Sequence, residues 1–276
     1  MVSIGALLAQ VDLAHSSTPD LDAELLLAKV LGKARSYLKT WPERELDAEQ
    51  LTTYQALIER RRRGEPVAYL LGEQGFWSLD LQVSPATLIP RADTERLVEL
   101  ALECGPVGPA RVLDLGTGTG AIALALASER PQWQVLGSDS IAEAVTLAEG
   151  NRQAHQLQNV RFVLSDWFAA LPAQAFDLIV SNPPYIAVAD PHLQQGDVQF
   201  EPASALVSGA DGLDAIRQIV DQAPGYLLAG GWLLLEHGWE QSPSVCELLR
   251  RRGVSAVQSW ADLAGHLRVS GGQWRG

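Results

Sequence analysis

Residues 111–127 constrain the fold more than any other stretch. Arg111-Val112-Leu113 is a short apolar strand, Asp114-Leu115-Gly116-Thr117-Gly118-Thr119-Gly120 is a glycine-rich turn, and Ala121-Ile122-Ala123-Leu124-Ala125-Leu126-Ala127 is a run of strong helix formers. Strand, glycine turn and helix make the ligand-binding unit of an α/β domain. Glycines let the backbone approach a ligand and adopt positive φ. The helix N-terminus then offers free N–H groups to an anion. The spacing is G-x-G-x-G, unlike the G-x-G-x-x-G of a dinucleotide site. Asp114, ahead of the first glycine, would repel a pyrophosphate and suits an ammonium group, or a hydrogen-bonding role through water. A ligand with both a carboxylate and an ammonium, such as the methionine end of S-adenosylmethionine, fits both features. A tight turn without a ligand is the plain structural alternative.

The next strand ends continue the pattern. Trp133-Gln134-Val135-Leu136-Gly137-Ser138-Asp139 is apolar and closes on a carboxylate. Asp139 lies near the ~20-residue offset at which such folds bond a ribose diol, and it is equally placed to cap a helix from Ile141. Val160-Arg161-Phe162-Val163-Leu164-Ser165 reads as a third strand and runs into Asp166-Trp167. Asp166 suits an adenine amino group and Trp167 the face of the ring, although a tryptophan there also suits the core. Phe176-Asp177-Leu178-Ile179-Val180-Ser181 reads as a buried strand ending at Asn182-Pro183-Pro184-Tyr185.

That tetrapeptide is fitted to hold a planar, weakly nucleophilic nitrogen. The Asn amide offers an acceptor oxygen and donor hydrogens. The prolines lock the backbone and leave carbonyls without competing N–H groups, and the Tyr ring is a flat wall. Ligands of open α/β sheets bind at the carboxyl ends of strands. The convergence predicts an S-adenosylmethionine-dependent methyltransferase acting on a planar nitrogen, with S-adenosyl-L-homocysteine as the product. Asp114, Gly116, Thr117, Gly118, Thr119, Gly120, Asp139, Asp166, Trp167 and Asn182 are the candidate cofactor residues. Asn182, Pro183, Pro184 and Tyr185 are the candidate substrate residues, with Asn182, Pro183 and Tyr185 as the catalytic set.

Further segments carry a family resemblance: Arg63-Gly64-Glu65-Pro66, Gly75-Phe76-Trp77, Leu88-Ile89-Pro90-Arg91, Phe200-Glu201-Pro202 and Leu234-Leu235-Glu236-His237-Gly238. With the glycine turn and Asn-Pro-Pro-Tyr, these make the chain resemble the HemK/PrmC family, the N(5)-glutamine methyltransferases of class 1 peptide-chain release factors. The tetrapeptide alone is not specific, since adenine-N6 DNA methyltransferases are similar there. The resemblance implies a doubly wound, mostly parallel seven-stranded methyltransferase sheet in an α/β fold. It also implies a small N-terminal helical domain that helps hold the release factor, and a linking β-hairpin. The target is then the glutamine of a Gly-Gly-Gln motif, with no ribosome contact required. Ala92 departs from the family pattern, since a second proline is expected after Arg91.

Composition narrows the alternatives. The 276 residues suffice for two domains, and shares of 47% hydrophobic and 20% charged residues are those of a globular protein. A formal net charge of −12 argues against duplex DNA as substrate, because phosphate binding relies on Lys and Arg. Two cysteines, Cys104 and Cys246, and five scattered His show no metal spacing, so no metal is expected. No apolar run approaches the ~18 residues of a membrane span, and no signal peptide is evident. A cytoplasmic location is the expectation.

The expected organisation is a helical domain over 1–72, a hairpin and linker over 73–93, and the methyltransferase domain over 94–276. In the first, Ile4, Leu7, Leu8 and Val11 share a face. Pro19 starts a helix that Gly32 stops, and Asp47 caps another running to Arg63. Arg60-Arg61-Arg62-Arg63 complements that helix's dipole or contacts an acidic partner or RNA. Gln74–Val83 alternates as a hairpin.

A glutamine amide nitrogen is a poor nucleophile, so the catalytic task is positioning. Asn182 Oδ1 and the Pro183 carbonyl are the expected acceptors of the two amide hydrogens, turning the lone pair toward the sulfonium methyl. Pro184 fixes the loop and Tyr185 walls the side chain. Two other functions share this chemistry: glutamine methylation of a ribosomal protein and adenine-N6 methylation. A non-catalytic S-adenosylmethionine-binding scaffold would have no use for Asn182. The tail, Ser270-Gly271-Gly272-Gln273-Trp274, carries a Gly-Gly-Gln tripeptide of its own, most simply a coincidence of common residues.

Overall fold

In the N-terminal part, helix boundaries follow local chemistry. The computed structural model describes residues 2–14 and 16–276. Helix α1 spans Ile4–Leu8, with the Ser3 hydroxyl accepting from Ala6 N. Helix α2, Pro19–Leu31, opens on its proline and closes at Gly32, whose φ of 60° is the left-handed C-cap. Helix α3, Arg35–Thr40, has no side-chain cap. Helix α4, Ala48–Arg62, is started by a reciprocal capping box between Asp47 and Gln50. Helix α5, Val67–Leu71, follows Pro66. Leu26, Leu27, Leu38, Tyr54 and Ile58 are buried together in their core.

The chain forms two compact units: one holds the chain up to Glu73 together with Gln194–Phe200, the other Gln74–Leu193 and Glu201–Gly276. Within the first unit, Arg60, Arg61 and Arg62 of the arginine cluster have partners of their own. Arg61, with a side chain 10% exposed, bonds Asp22 at 2.7 Å and Asp197 at 2.9 Å. It also donates to the carbonyls of Gly64 and Glu65. Arg60 pairs with Glu65, and Arg62 donates to the Asp12 carbonyl. Gly64 has φ of 93°, and a methyl there would press on the Phe200 ring at 3.1 Å.

The second unit begins with a hairpin, β1 (Glu73–Phe76) and β2 (Leu79–Gln82), turned at Trp77 with φ of 58°. Phe76 is buried in the core of this unit, and half-buried Trp77 packs against that core while its indole N–H donates to Glu129. A 3-10 turn over Ala92–Thr94 leads into α6 (Glu95–Cys104).

Strands β3 (Arg111–Leu115), β4 (Gln134–Asp139), β5 (Val160–Leu164), β6 (Phe176–Ser181), β7 (Leu227–Glu236), β8 (Val254–Ala261) and β9 (Leu267–Trp274) follow. Among the described residues they form one seven-stranded sheet in the order β5-β4-β3-β6-β7-β9-β8. The pairs from β5 to β7 are parallel, and β9 runs antiparallel to β7 and β8. Side chains alternate across it. Val112, Leu178, Val180 and Leu234 face one layer with α6 and α7 (Ala121–Glu129). Leu113, Ile179, Leu233 and Leu235 face the other. Every residue from Ala121 to Ala127 is buried, which is why this helix is apolar all round. Helix α8 (Ala142–Ala154) packs on β5, and short α9 (Ala203–Leu206) follows the β6 loop. Helices α10 (Asp214–Gln222) and α11 (Ser242–Arg251) cover the second face.

The tail tripeptide is part of β9. Gly271 and Gly272 are buried opposite Leu234 and Leu233, and a methyl on either would overlap neighbouring backbone oxygens. Close strand packing accounts for both glycines. Incubation with S-adenosylmethionine is therefore expected to add no methyl to residues 270–276. Peptide mass spectrometry checks this, and a methylated Gln273 would overturn it.

Candidate active site

The chain runs outward from β3 through β4 to β5, then returns to β6 on the other side of β3. Such a switch leaves a crevice at the carboxyl ends of the two strands. Here it is flanked by the glycine turn after β3 and by Asn-Pro-Pro-Tyr after β6. Leu115 and Ser181 are paired residues, and the Ser181 hydroxyl donates to the Leu115 carbonyl at 2.7 Å. One short bond thus fixes the start of both loops.

A cavity of about 930 Å³, counted to its open mouth, occupies this crevice. Gly116, Thr117, Gly118 and Thr119 form one wall, Asp139, Ser165 and Trp167 a second, and Asn182 and Pro184 a third. Gly116 and Gly118 have φ of 70° and 55°; a methyl on Gly116 would stand 3.6 Å from the Trp167 ring, and one on Gly118 would stand 3.9 Å from Thr87. Gly120 lies off the wall: its φ is 84°, and a methyl there would meet Leu124 and Phe162 at 3.0 Å. Its place is helix-to-strand packing.

Asp139 has two backbone tasks. Oδ2 accepts from Gly118 N at 2.9 Å and Oδ1 from Ile141 N at 3.0 Å. It thus shapes the turn and caps the next segment while still lining the cavity, where each oxygen keeps a lone pair. Trp167, at φ of 47°, lines the cavity, and Asp166 is exposed beside it, off the wall.

Asp114 is fully buried beneath the turn. Its Oδ2 accepts from the Thr117 hydroxyl at 2.6 Å and Ala123 N at 3.2 Å, while Oδ1 has no partner. Burial pushes its carboxyl up to about 7, against those two hydrogen bonds, which lower it. An orphaned buried acceptor beneath the glycine turn is the observation that fits a ligand carrying an ammonium group. The residues present therefore suit S-adenosylmethionine.

At the tetrapeptide, Asn182 Nδ2 donates to the Thr94 hydroxyl oxygen at 3.0 Å. Pro183 is buried, and neither it nor Tyr185 lies on the cavity wall. Burial pushes the Tyr185 pKa up, and the nearby Glu236 carboxyl at the end of β7 adds to the rise. The Tyr185 carbonyl accepts from Gln241 Nε2 at 3.0 Å. Directly against it sits Gly212, with φ of 77°, where a methyl would overlap that oxygen. Opposite the turn, Arg91 pairs with buried Glu201, which also accepts from Ile89 N at 3.1 Å. The Leu88–Arg91 and Phe200–Pro202 segments are therefore joined at Glu201. Thr94, Gly212, Glu236 and Gln241 were not among the residues the sequence pointed to as site residues. The available signals were an Asp-Gly turn at 211–212 and a carboxylate ending the apolar run 232–235. Among the described residues no cluster of three or more His, Cys, Asp or Glu is arranged to hold a metal.

Known proteins resemble this chain in both of its parts. Residues 7–72 match the PrmC N-terminal domain and residues 97–209 the Methyltransferase small domain. The release factor glutamine methyltransferase of Pseudomonas aeruginosa is 58% identical over 274 residues, covering 99% of each chain. The Escherichia coli K12 protein of the same name is 50% identical, covering 94% of each. Two solved structures share the fold. A methyltransferase from Pyrococcus furiosus matches with a TM-score of 0.56 at 20% identity, over 82% of this chain and 99% of its own. A 16S rRNA N2 G1207 methyltransferase of T. thermophilus, in complex with AdoMet and guanosine, matches with a TM-score of 0.53 at 23% identity, over 74% and 50%.

Proposed function

Because the chain belongs to the release factor glutamine methyltransferases, we propose that its crevice methylates the side-chain nitrogen of the Gly-Gly-Gln glutamine in class 1 release factors. The observation that carries this is Asn182, held by Thr94 on the wall that faces the glycine turn. S-adenosylmethionine, when bound, supplies an electrophilic methyl group. The chain's own residues hold and orient. The Gly116–Thr119 turn lets the carboxylate end of the ligand approach the backbone at Thr119, Asp114 lies under it as counter-charge for an ammonium, and Asp139 accepts from ribose hydroxyls. Trp167 covers one face of the ring. Asn182 Oδ1 and the Pro183 carbonyl accept the amide hydrogens of the glutamine, so that its nitrogen lone pair faces the methyl donor. These acceptors strengthen as positive charge grows on nitrogen, which stabilises the transition state more than the ground state.

Substrate choice belongs to the N-terminal unit. A tripeptide gives too few contacts for tight binding, and a second recognising surface raises affinity through effective concentration. Such a substrate places the enzyme in the cytoplasm. Among the described residues no helix is long and apolar enough to cross a membrane.

The test is incubation of purified release factor with labelled S-adenosylmethionine, then mapping of the labelled residue. Label on the Gly-Gly-Gln glutamine is expected; label elsewhere, or none, sinks the proposal. Asp139→Ala is expected to weaken cofactor binding by roughly 1.5–3 kcal/mol, the worth of a charge-assisted hydrogen bond. Turnover at saturating cofactor falls less. Calorimetry showing unchanged affinity would leave Asp139 with its backbone tasks alone.

A further inference from the structure

The proposed chemistry depends on which end of the Asn182 carboxamide faces the cavity. The residues behind it decide that. Among the described residues its side chain makes one hydrogen bond, from Nδ2 to Thr94 Oγ1. A hydroxyl has a single proton to give. Thr94 is buried, and its hydroxyl lies beside the carboxyl of Glu236, 1% exposed at the end of β7, and lowers the pKa of that carboxyl. An ionised carboxylate only accepts, so the Thr94 proton goes to Glu236. What Thr94 keeps for Asn182 is a lone pair, which accepts from Nδ2 and rejects Oδ1. The carboxamide oxygen is thereby left free for the cavity that Asn182 lines.

Glu236 is an expensive residue to place there. Its neighbours Leu233, Leu234 and Leu235 are buried apolar side chains, and its Oε2 has no hydrogen-bond partner. A buried carboxyl with an unpaired oxygen disfavours folding, so packing alone does not explain it. We infer that Glu236 is a positioning residue: acting through Thr94, it holds the Asn182 carboxamide with its oxygen toward the cavity. The inference rests on the reading of Asn182 as an acceptor of the substrate amide.

The surroundings make the device sensitive to pH. Burial pushes the Glu236 carboxyl up to about 7; Asp93 adds to the rise, while Thr94, Arg268 and Tyr185 oppose it. Arg268 is shared with Asp262 at 3.3 Å and Asp93 at 3.8 Å. Tyr185 keeps its proton because burial raises its pKa, and the adjacent His237 is held toward its neutral form by burial. Once protonated, Glu236 can donate to Thr94, whose own proton is then free for Asn182 Oδ1. The carboxamide can turn and present its NH₂ group. The competent orientation therefore belongs to the ionised form, present above a pH of about 7 and lost below it.

The experiment compares Thr94→Val, Thr94→Ser and Glu236→Gln with wild type and Asn182→Ala, on intact release factor at saturating cofactor. Thr94→Val keeps shape and removes the relay. Its kcat is expected to fall roughly 10- to 100-fold, as for a misplaced catalytic group, with cofactor affinity and KM unchanged. Thr94→Ser restores the hydroxyl and most of the turnover. Wild-type kcat rises between pH 6 and 8, and Glu236→Gln loses that rise because its amide does not titrate. Thr94→Val with wild-type kcat, or Glu236→Gln with the wild-type pH profile, overturns the inference. Should Thr94→Val bind no cofactor and fail to melt cooperatively, the Glu236→Gln profile decides alone. An inactive wild type strikes the functional reading instead. Active wild type, inactive Asn182→Ala and unaffected Thr94→Val strike only the inference.

Discussion

Asn182→Ala is expected to lower turnover by roughly 10²–10³-fold, by analogy with removal of one oxyanion-hole donor. Cofactor affinity is expected to stay nearly intact. The carboxamide is held at one end by Thr94 at 3.0 Å, so its free oxygen meets the substrate in a fixed orientation. An acceptor of this kind works mostly in the transition state, where the nitrogen gains positive charge, and its loss lowers kcat more than it raises KM. Alanine also leaves the Thr94 lone pair without a donor, a local cost that does not touch the glycine turn or Asp139. Rapid-quench methylation and calorimetry on the same preparation check both halves. A variant keeping more than about half of the wild-type kcat would remove Asn182 from the mechanism, since the expected loss is far larger.

Gly212→Ala is expected to cost both stability and activity. The residue sits at φ of 77°, and the added methyl would overlap the Tyr185 carbonyl oxygen and crowd Gln241 Nε2 at 2.7 Å. Left-handed backbone costs a residue with a Cβ about 1–2 kcal/mol, and overpacking against backbone about 1–3 kcal/mol more. A fall in Tm on the order of 10 °C follows for a domain of this size. The larger consequence lies upstream. The Tyr185 carbonyl is fixed by Gln241 at 3.0 Å, and its displacement moves Pro183 and Pro184 with it. Turnover measured well below the variant's own Tm should therefore fall with little change in cofactor affinity. Wild-type Tm would show that the loop yields freely. Lowered Tm with wild-type kcat would separate Gly212 from the positioning of the tetrapeptide.

The apolar run of Leu178, Ile179 and Val180, the Ala-rich run after Gly120, the Pro19 start and Gly32 stop, and the Asp47 cap were all legible from residues alone. Each depends on neighbours within one turn or one strand. The short helices Arg35–Thr40 and Val67–Leu71 were not, because so few residues set up no readable period. Nor was the last strand, where Gly271-Gly272-Gln273 looked like a tail. Glycine weakens a strand signal, and only the closeness of β7 and β8 explains why nothing larger fits.

At the site, the chain's own order of residues determined which loops reach the cavity. A carboxylate or a polar tetrapeptide after each parallel strand must arrive at one edge of the sheet, whatever the details of packing. Tertiary structure alone decided what each side chain does there. Gly120 turned to packing and Gly116 to the cavity; Asp139 acquired two backbone partners; Arg61 was drawn into its own unit by Asp22 and Asp197. Thr94, Asn182 and Glu236 lie far apart in the chain, and their relay exists only because a 3-10 turn, β6 and β7 end side by side. Hydrophobic periodicity specifies which face of an element is buried, but the donor that a buried oxygen finds is set by strand order and register, and these are properties of the assembled sheet.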